Sequence, residues 1–184
     1  MKNEDRTARL LRRTVFPRAK DIPQSLATAF MRTMMTHARF ESGVSALQGV
    51  VANDQHYGEQ PKNLWSAKKR PKLMVKLIEE HVGQIPETEQ IKKLLEDACD
   101  PTNKRNQLAH GTWWAFDPKT ATIHVRGGIQ REDEDQFSEH SEETISAISD
   151  KFETLEAELY KLRRDIENRR GDDHGFDWSP PPCT

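Results

Sequence analysis

Seven apolar residues, Ile145, Ile148, Phe152, Leu155, Leu159, Leu162 and Ile166, recur at alternating spacings of three and four. An α-helix with 3.6 residues per turn brings such positions onto one stripe, and another element has to cover that stripe. A second run keeps the same rhythm: Phe30, Thr33, His37, Phe40, Val44, Leu47 and Val51. It predicts a helix over 24–52, roughly 43 Å long at 1.5 Å per residue, opened by Pro23 and ended by Asn53-Asp54 and Tyr57-Gly58. Two long amphipathic helices point to a mainly α fold, an antiparallel helical bundle. The second stripe carries two polar members, Thr33 and His37, which read as core or helix-contact residues.

Shorter elements lie between the two stripes. Pro61 restarts the chain, and a helix is expected somewhere in 62–82 with Pro71 breaking or kinking it. Pro86 opens another, with Ile91, Leu94, Leu95 and Ala98 on one face. Asp100-Pro101 reads as an N-cap followed by the first helical residue. That helix is short, because Gly111 is placed to end it at Ala109. After Gly111 the period changes to two. Trp114 and Phe116, then Ile123 and Val125, predict an inserted β-hairpin over 112–117 and 121–126, turned by Asp117-Pro118-Lys119-Thr120. Seven carboxylates in 132–143 form an acidic linker, part of which should precap the last helix. The basic residues 1–20 read as a solvated arm, 21–170 as one helical domain, and 171–184 as a disordered tail.

Composition narrows the function classes. No run approaches eighteen apolar residues, so no membrane span is expected. The charged first twenty residues lack the apolar segment of a secretory leader, so a cytoplasmic location is expected. Two cysteines in 184 residues do not make a disulfide scaffold. The net charge of −2 hides a split: residues 1–76 hold 15 Lys and Arg against 6 Asp and Glu, and residues 77–184 hold 13 against 24. Such asymmetry suits an acidic partner such as nucleic acid, or attraction between the halves. The run 61–76 carries Lys62, Lys68, Lys69, Arg70, Lys72 and Lys76 with Trp65 among them and no acid. It would suit phosphates and a stacked base, or it is a solvated face pairing with the 132–143 carboxylates.

Metal, phosphate-loop and serine-nucleophile motifs are missing. Cys99 and Cys183 stand alone, the seven histidines have no HxxxH or HExxH spacing, and neither GxGxxG, GxxxxGK nor GxSxG occurs. No metal and no cofactor is implied.

What remains is Lys104-Arg105-Asn106-Gln107-Leu108-Ala109-His110-Gly111-Thr112-Trp113-Trp114. Here the chain resembles the HEPN family of small helical proteins, many of them metal-independent ribonucleases. The family signature is an Arg, then four to six residues of which the first is usually polar, then a His; Arg105, Asn106 and His110 match it. The resemblance is firm over about a dozen residues and otherwise one of helical architecture over 22–168. Spacing alone does not select this pair, because Arg32/His37 and Arg169/His174 share it. Context does. Arg32 and His37 lie within a helix, and Arg169 and His174 fall where the last helix frays into solvated charge. Only Arg105–His110 has Asn after the Arg and a Gly after the His.

The resemblance implies an endoribonuclease, of toxin or defence type, that cleaves single-stranded RNA by 2′-OH attack and leaves a 2′,3′-cyclic phosphate. Its implied partners are a second copy of the chain, RNA, and an antitoxin or regulatory protein. The residue types suit that chemistry. His transfers protons near neutral pH, and Arg presents a planar charged fork to phosphate oxygens. Asn106 would orient the His or the phosphate, and Lys104, Lys68, Lys69 and Arg70 would bind RNA. One His per chain supplies one of two proton transfers, so a dimer would complete the site. Residues five apart on a helix point about 140° apart, so His110 would have to leave the helix to join Arg105. Folding would also have to bring the pair to the basic run or arm, with 132–143 facing away or covering the cleft. In the competing reading the bundle is a non-catalytic module for a protein or nucleotide, with Arg105 and Asn106 capping carbonyls and His110 favouring the helix dipole.

Overall fold

A computed structural model describes residues 19–52, 67–126 and 137–170. Residues 1–18 of the predicted 1–20 arm, the segment with Lys62 and Trp65, and the tail after 170 lie outside the described residues. After a 3-10 turn at Ala19–Asp21 come α1 (Gln24–Ala52), α2 (Arg70–His81), α3 (Glu87–Asp97) and α4 (Cys99–His110). Three strands follow, β1 (Thr112–Asp117), β2 (Thr122–Arg126) and β3 (Phe137–Ser141), and then α5 (Glu142–Arg170).

Both long stripes face inward. All seven α5 stripe residues are buried, as are all those of α1 except the half-buried Phe30. Burying such side chains stabilises the fold by about 1.5–3 kcal/mol each. The α1–α5 contact is the most extensive between any two elements. Its register corrects the antiparallel expectation for these two helices. Thr33 Oγ1 donates to the Ile145 carbonyl, Thr36 Oγ1 lies 3.4 Å from Ser149 Oγ, and Arg39 bonds Glu156. Partner numbers rise together, so α1 and α5 run parallel. The return path is α3–α4. Glu87 opens α3 beside Arg169 at the far end of α5, and Trp113, just past α4, packs against Phe30 near the start of α1. Sequence periodicity identifies the stripe but carries no direction.

Proline acts differently from the expectation at α2. Pro71 does not break a helix but begins one, where its missing N–H has no intrahelical acceptor to lose. Asp100 is not an N-cap. Ala98 is already helical at φ −75° and joins α3 to α4 almost without a break, and its N–H bonds the Leu94 carbonyl. Pro101 is tolerated at the third position because the first four amides of a helix lack partners anyway. Asp100 instead pairs with Lys104 at 2.8 Å on the surface.

The hairpin is part of a larger sheet. β1-β2-β3 form an antiparallel three-stranded sheet, with Thr112 opposite Arg126 and Thr122 opposite Ser141. Residues 137–141, expected as acidic linker, are its third strand, while Glu142 and Glu143 do fall in the first turn of α5. The acidic segment hid a strand because an inward-facing member is polar: buried His140 sits opposite the core residue Ile123. A register shift between Trp113 and Ala115 makes Trp114 the extra residue of a bulge.

Gly111 also differs in its reason for being glycine. Its backbone is extended (φ −75°, ψ 157°), so no left-handed turn requires it. A Cβ there would collide with Val125 Cγ1 and the Gln107 carbonyl and lie 2.8 Å from the Arg126 carbonyl. Two of those three atoms are backbone. Gly111→Ala is therefore expected to cost at least the ~1–3 kcal/mol typical of overpacking, read as a lowered urea midpoint with the slope unchanged.

Candidate active site

α4 carries the Arg–Asn–His motif, and its inward face is Pro101, Thr102 and Leu108. Arg105 lies on the edge of that face and is half-buried, while Lys104, Asn106 and His110 are exposed. Arg105 Nη1 donates to Asn106 Oδ1 at 2.9 Å. The helix includes His110 itself, and Gly111 N–H bonds the Gln107 carbonyl at 2.8 Å. The expected release of His110 at Ala109 does not occur, so Arg105 and His110 of one chain stay about 140° apart around the helix. Trp113 closes the end of α4. Its Nε1 donates to the Leu108 carbonyl at 2.8 Å, and its ring meets Phe30 edge-on at 5.1 Å.

The three Arg–His pairs of equal spacing end up in different surroundings. Arg32 is held by Glu153 and Asp150, and His37 is buried. Arg169 bonds Glu87 through two nitrogens, which ties α5 to α3 and makes it more than solvated charge. Among the described residues no carboxylate pairs with Arg105.

The basic run splits. Lys68 and Lys69 are exposed on the turn before α2, and Cys99 Sγ, at the start of α4, donates to the Ala67 carbonyl at 3.3 Å. Folding thus brings these two lysines to the opposite end of α4 from His110, roughly 16 Å along a helix of this length. Arg70 leaves the surface patch expected of it. Its side chain is 4% exposed, and its Nη1 and Nη2 donate to Glu41 Oε1 and Oε2 at 2.7 Å each. Lys76 pairs with Glu80 one turn on in its own helix, and most of the acidic 132–143 segment lies outside the described residues.

A group that sequence reasoning did not assemble lies where α1, α2 and α4 meet. His37 is 8% exposed, its ring is edge-on to Phe152 at 5.0 Å, and Glu41 Oε1 stands 3.4 Å from its Nε2 outside hydrogen-bonding geometry. Burial, helped by the charges of Arg105 and Arg70 and opposed by Glu41, pushes the His37 pKa down to about 4. Glu41 sits one turn after His37, the i,i+4 spacing that could have flagged the pair. Nothing local announced Arg70 or Arg105 as their neighbours.

This imidazole makes stability pH-dependent. Between its unfolded pKa near 6.5 and about 4, the unfolded chain binds a proton that the folded chain does not. Stability contributed by the neutral ring is therefore full above pH 6.5 and lost as pH falls toward 4, by up to about 3 kcal/mol. Urea melts of His37→Gln should show a flatter pH dependence in that window. It will not be flat, because burial and Lys104 lower the His140 pKa in the same direction.

Among the described residues, no group of three or more His, Cys, Asp or Glu is arranged to hold a metal ion, and no helix is long and apolar enough to cross a membrane. No family model, curated protein or solved structure matches the chain.

Proposed function

We propose that the chain is a HEPN-type, metal-independent endoribonuclease that cleaves single-stranded RNA by attack of a 2′-OH, acting as a homodimer in a toxin or defence setting. One observation carries the reading. Of the three Arg–His pairs at the motif spacing, only Arg105–His110 leaves its Arg without a carboxylate partner among the described residues and its His exposed. A structural arginine finds a carboxylate, as Arg32, Arg70 and Arg169 do. An arginine kept for phosphate does not.

The roles follow from the residue types. Arg105 holds phosphate oxygens and meets the charge that develops on them, with its fork oriented by Asn106. His110 takes or gives the proton. Because α4 stays helical through His110, one chain does not aim both groups at one phosphate. Two α4 helices packed about a two-fold axis do, with Arg105 from one chain and His110 from the other, and the two histidines then supply both proton transfers. Lys104, Lys68 and Lys69 guide the strand along α4 by contacts that weaken with salt. Incubation of the protein with total RNA in EDTA, across pH 6–8, tests this directly. Fragments with 2′,3′-cyclic phosphate ends are expected, and intact RNA throughout would sink the reading.

A second reading keeps the same bundle as a binding module. It is favoured by Met31 and Met35, one turn apart on α1 and 56% and 63% exposed. Methionines are adaptable apolar contacts for a partner helix or a second copy.

A further inference from the structure

Leaving a buried polar nitrogen without a hydrogen bond costs about 1–3 kcal/mol. Two such nitrogens lie within electrostatic reach of each other between α1 and α4. His37 Nε2 belongs to a residue more than nine-tenths buried, and Arg105 Nε is shielded and without an acceptor. The groups around them are not a balanced set. Arg70 and Glu41 neutralise each other through two hydrogen bonds, His37 is uncharged at neutral pH, and Arg105 is left as the excess charge. The cluster is therefore cationic with two unfilled positions, a guanidinium N–H and an imidazole that can carry its hydrogen on Nε2. Donors of that kind, gathered around one net positive charge, recognise an oxyanion. The side open to an entering group is that of Arg105, whose hydrogen bond to Asn106 lies at the surface.

We propose that His37 and Arg105 form the seat of one phosphate group of a bound RNA strand, with the Arg70–Glu41 pair as its fixed floor. This makes His37, from a helix outside the motif, a phosphate-binding residue. Naming RNA as the source rests on the ribonuclease reading; binding of the anion does not. The anion favours the charged imidazole, so binding is coupled to proton uptake and tightens as pH falls. The charged groups facing the ring are Glu41 on its own helix, Arg70 from α2 and Arg105 from α4, while α5 presents the uncharged ring of Phe152.

The test follows the His37 ring signals by NMR in the full chain. Inorganic phosphate is added first, then a 2′-O-methylated oligoribonucleotide that lacks the attacking hydroxyl. Both are expected to shift those signals saturably and to raise the titration midpoint above about 4. Arg105→Gln should weaken phosphate binding about tenfold or more, as loss of a charge-assisted hydrogen bond does. The surface variant Lys92→Ala should not change it. His37→Gln, similar in size and without a titrating ring, should bind phosphate with only the pH dependence of phosphate's own second ionisation between pH 5 and 7. Ring signals unmoved by both probes, or a response undiminished in Arg105→Gln, would overturn the seat. RNA cleavage by a chain whose His37 stays silent removes the seat and keeps the nuclease. A saturable His37 response in a chain that cuts no RNA keeps the seat and removes the nuclease.

Discussion

His110→Ala is expected to lower RNA cleavage by about 10²–10⁴-fold, the usual loss when a positioned acid or base is removed. Far-UV circular dichroism should stay at the wild-type level. His110 is exposed at the last turn of α4, so the change removes a proton carrier and not a packing contact. The cost in stability is at most the loss of a charge at a helix C-terminus, about 0.3–1 kcal/mol when the ring is protonated. Arg105→Ala should lose cleavage to a similar degree, because it removes the guanidinium that the motif places beside the phosphate. Full activity in either variant would assign the cut to other residues.

The same two substitutions, combined, decide between one chain and two. If the cleft at the two-fold axis uses both histidines, a mixed dimer of wild type with the double variant Arg105→Ala/His110→Ala keeps only one proton carrier and is inactive. Equal co-expression leaves about a quarter of the dimers fully wild type, so activity should fall to about a quarter. A site built within one chain would keep about half. The helical course of the chain through His110 is the reason to expect the larger loss, since it holds Arg105 and His110 of one helix on different faces.

Periodicity in the sequence located α1 to the residue and the buried apolar positions of α5, though not the buried Ser149, because a heptad-like stripe is local information. It said nothing of direction, and the two helices run parallel where antiparallel packing was expected. The third strand was hidden for a related reason: its sequence, Phe137-Ser138-Glu139-His140-Ser141, shows no apolar alternation, and its inward residue is a histidine that bonds Ser138 Oγ. At the site, the motif residues were legible because they sit within six positions of one another. The His37–Glu41–Arg70–Arg105 group was not, because its members come from three helices and meet only through the return path of α3–α4. Arg70 shows how composition misleads. In the sequence it is one more cation in a basic run, and in the fold it is the buried partner of a glutamate on another helix.

Phe152→Ala is expected to be the most destabilising single change in the seam between α1 and α5, and it reaches the site as well. Phe152 is fully buried, with its ring edge-on to His37 at 5.0 Å and tilted against Phe40 at 5.7 Å. Truncating a buried Phe costs about 3–5 kcal/mol in transfer and cavity terms. For a chain of this size, each kcal/mol is worth about 2–4 °C, so Tm should fall by roughly 6–20 °C. Met35→Ala, on the exposed face of the same pair of helices, should stay within about 0.5 kcal/mol of wild type. The cavity opens directly beside the imidazole. Water entering it would solvate His37, relieve the desolvation that holds its pKa near 4, and move the titration back toward 6.5. Loss of Tm together with an upward shift of the His37 titration would show that one aromatic contact both fixes the helix pair and keeps the imidazole neutral. A loss of Tm with the titration still near 4 would place the cause of the depressed pKa on the Arg70 and Arg105 charges, with burial secondary.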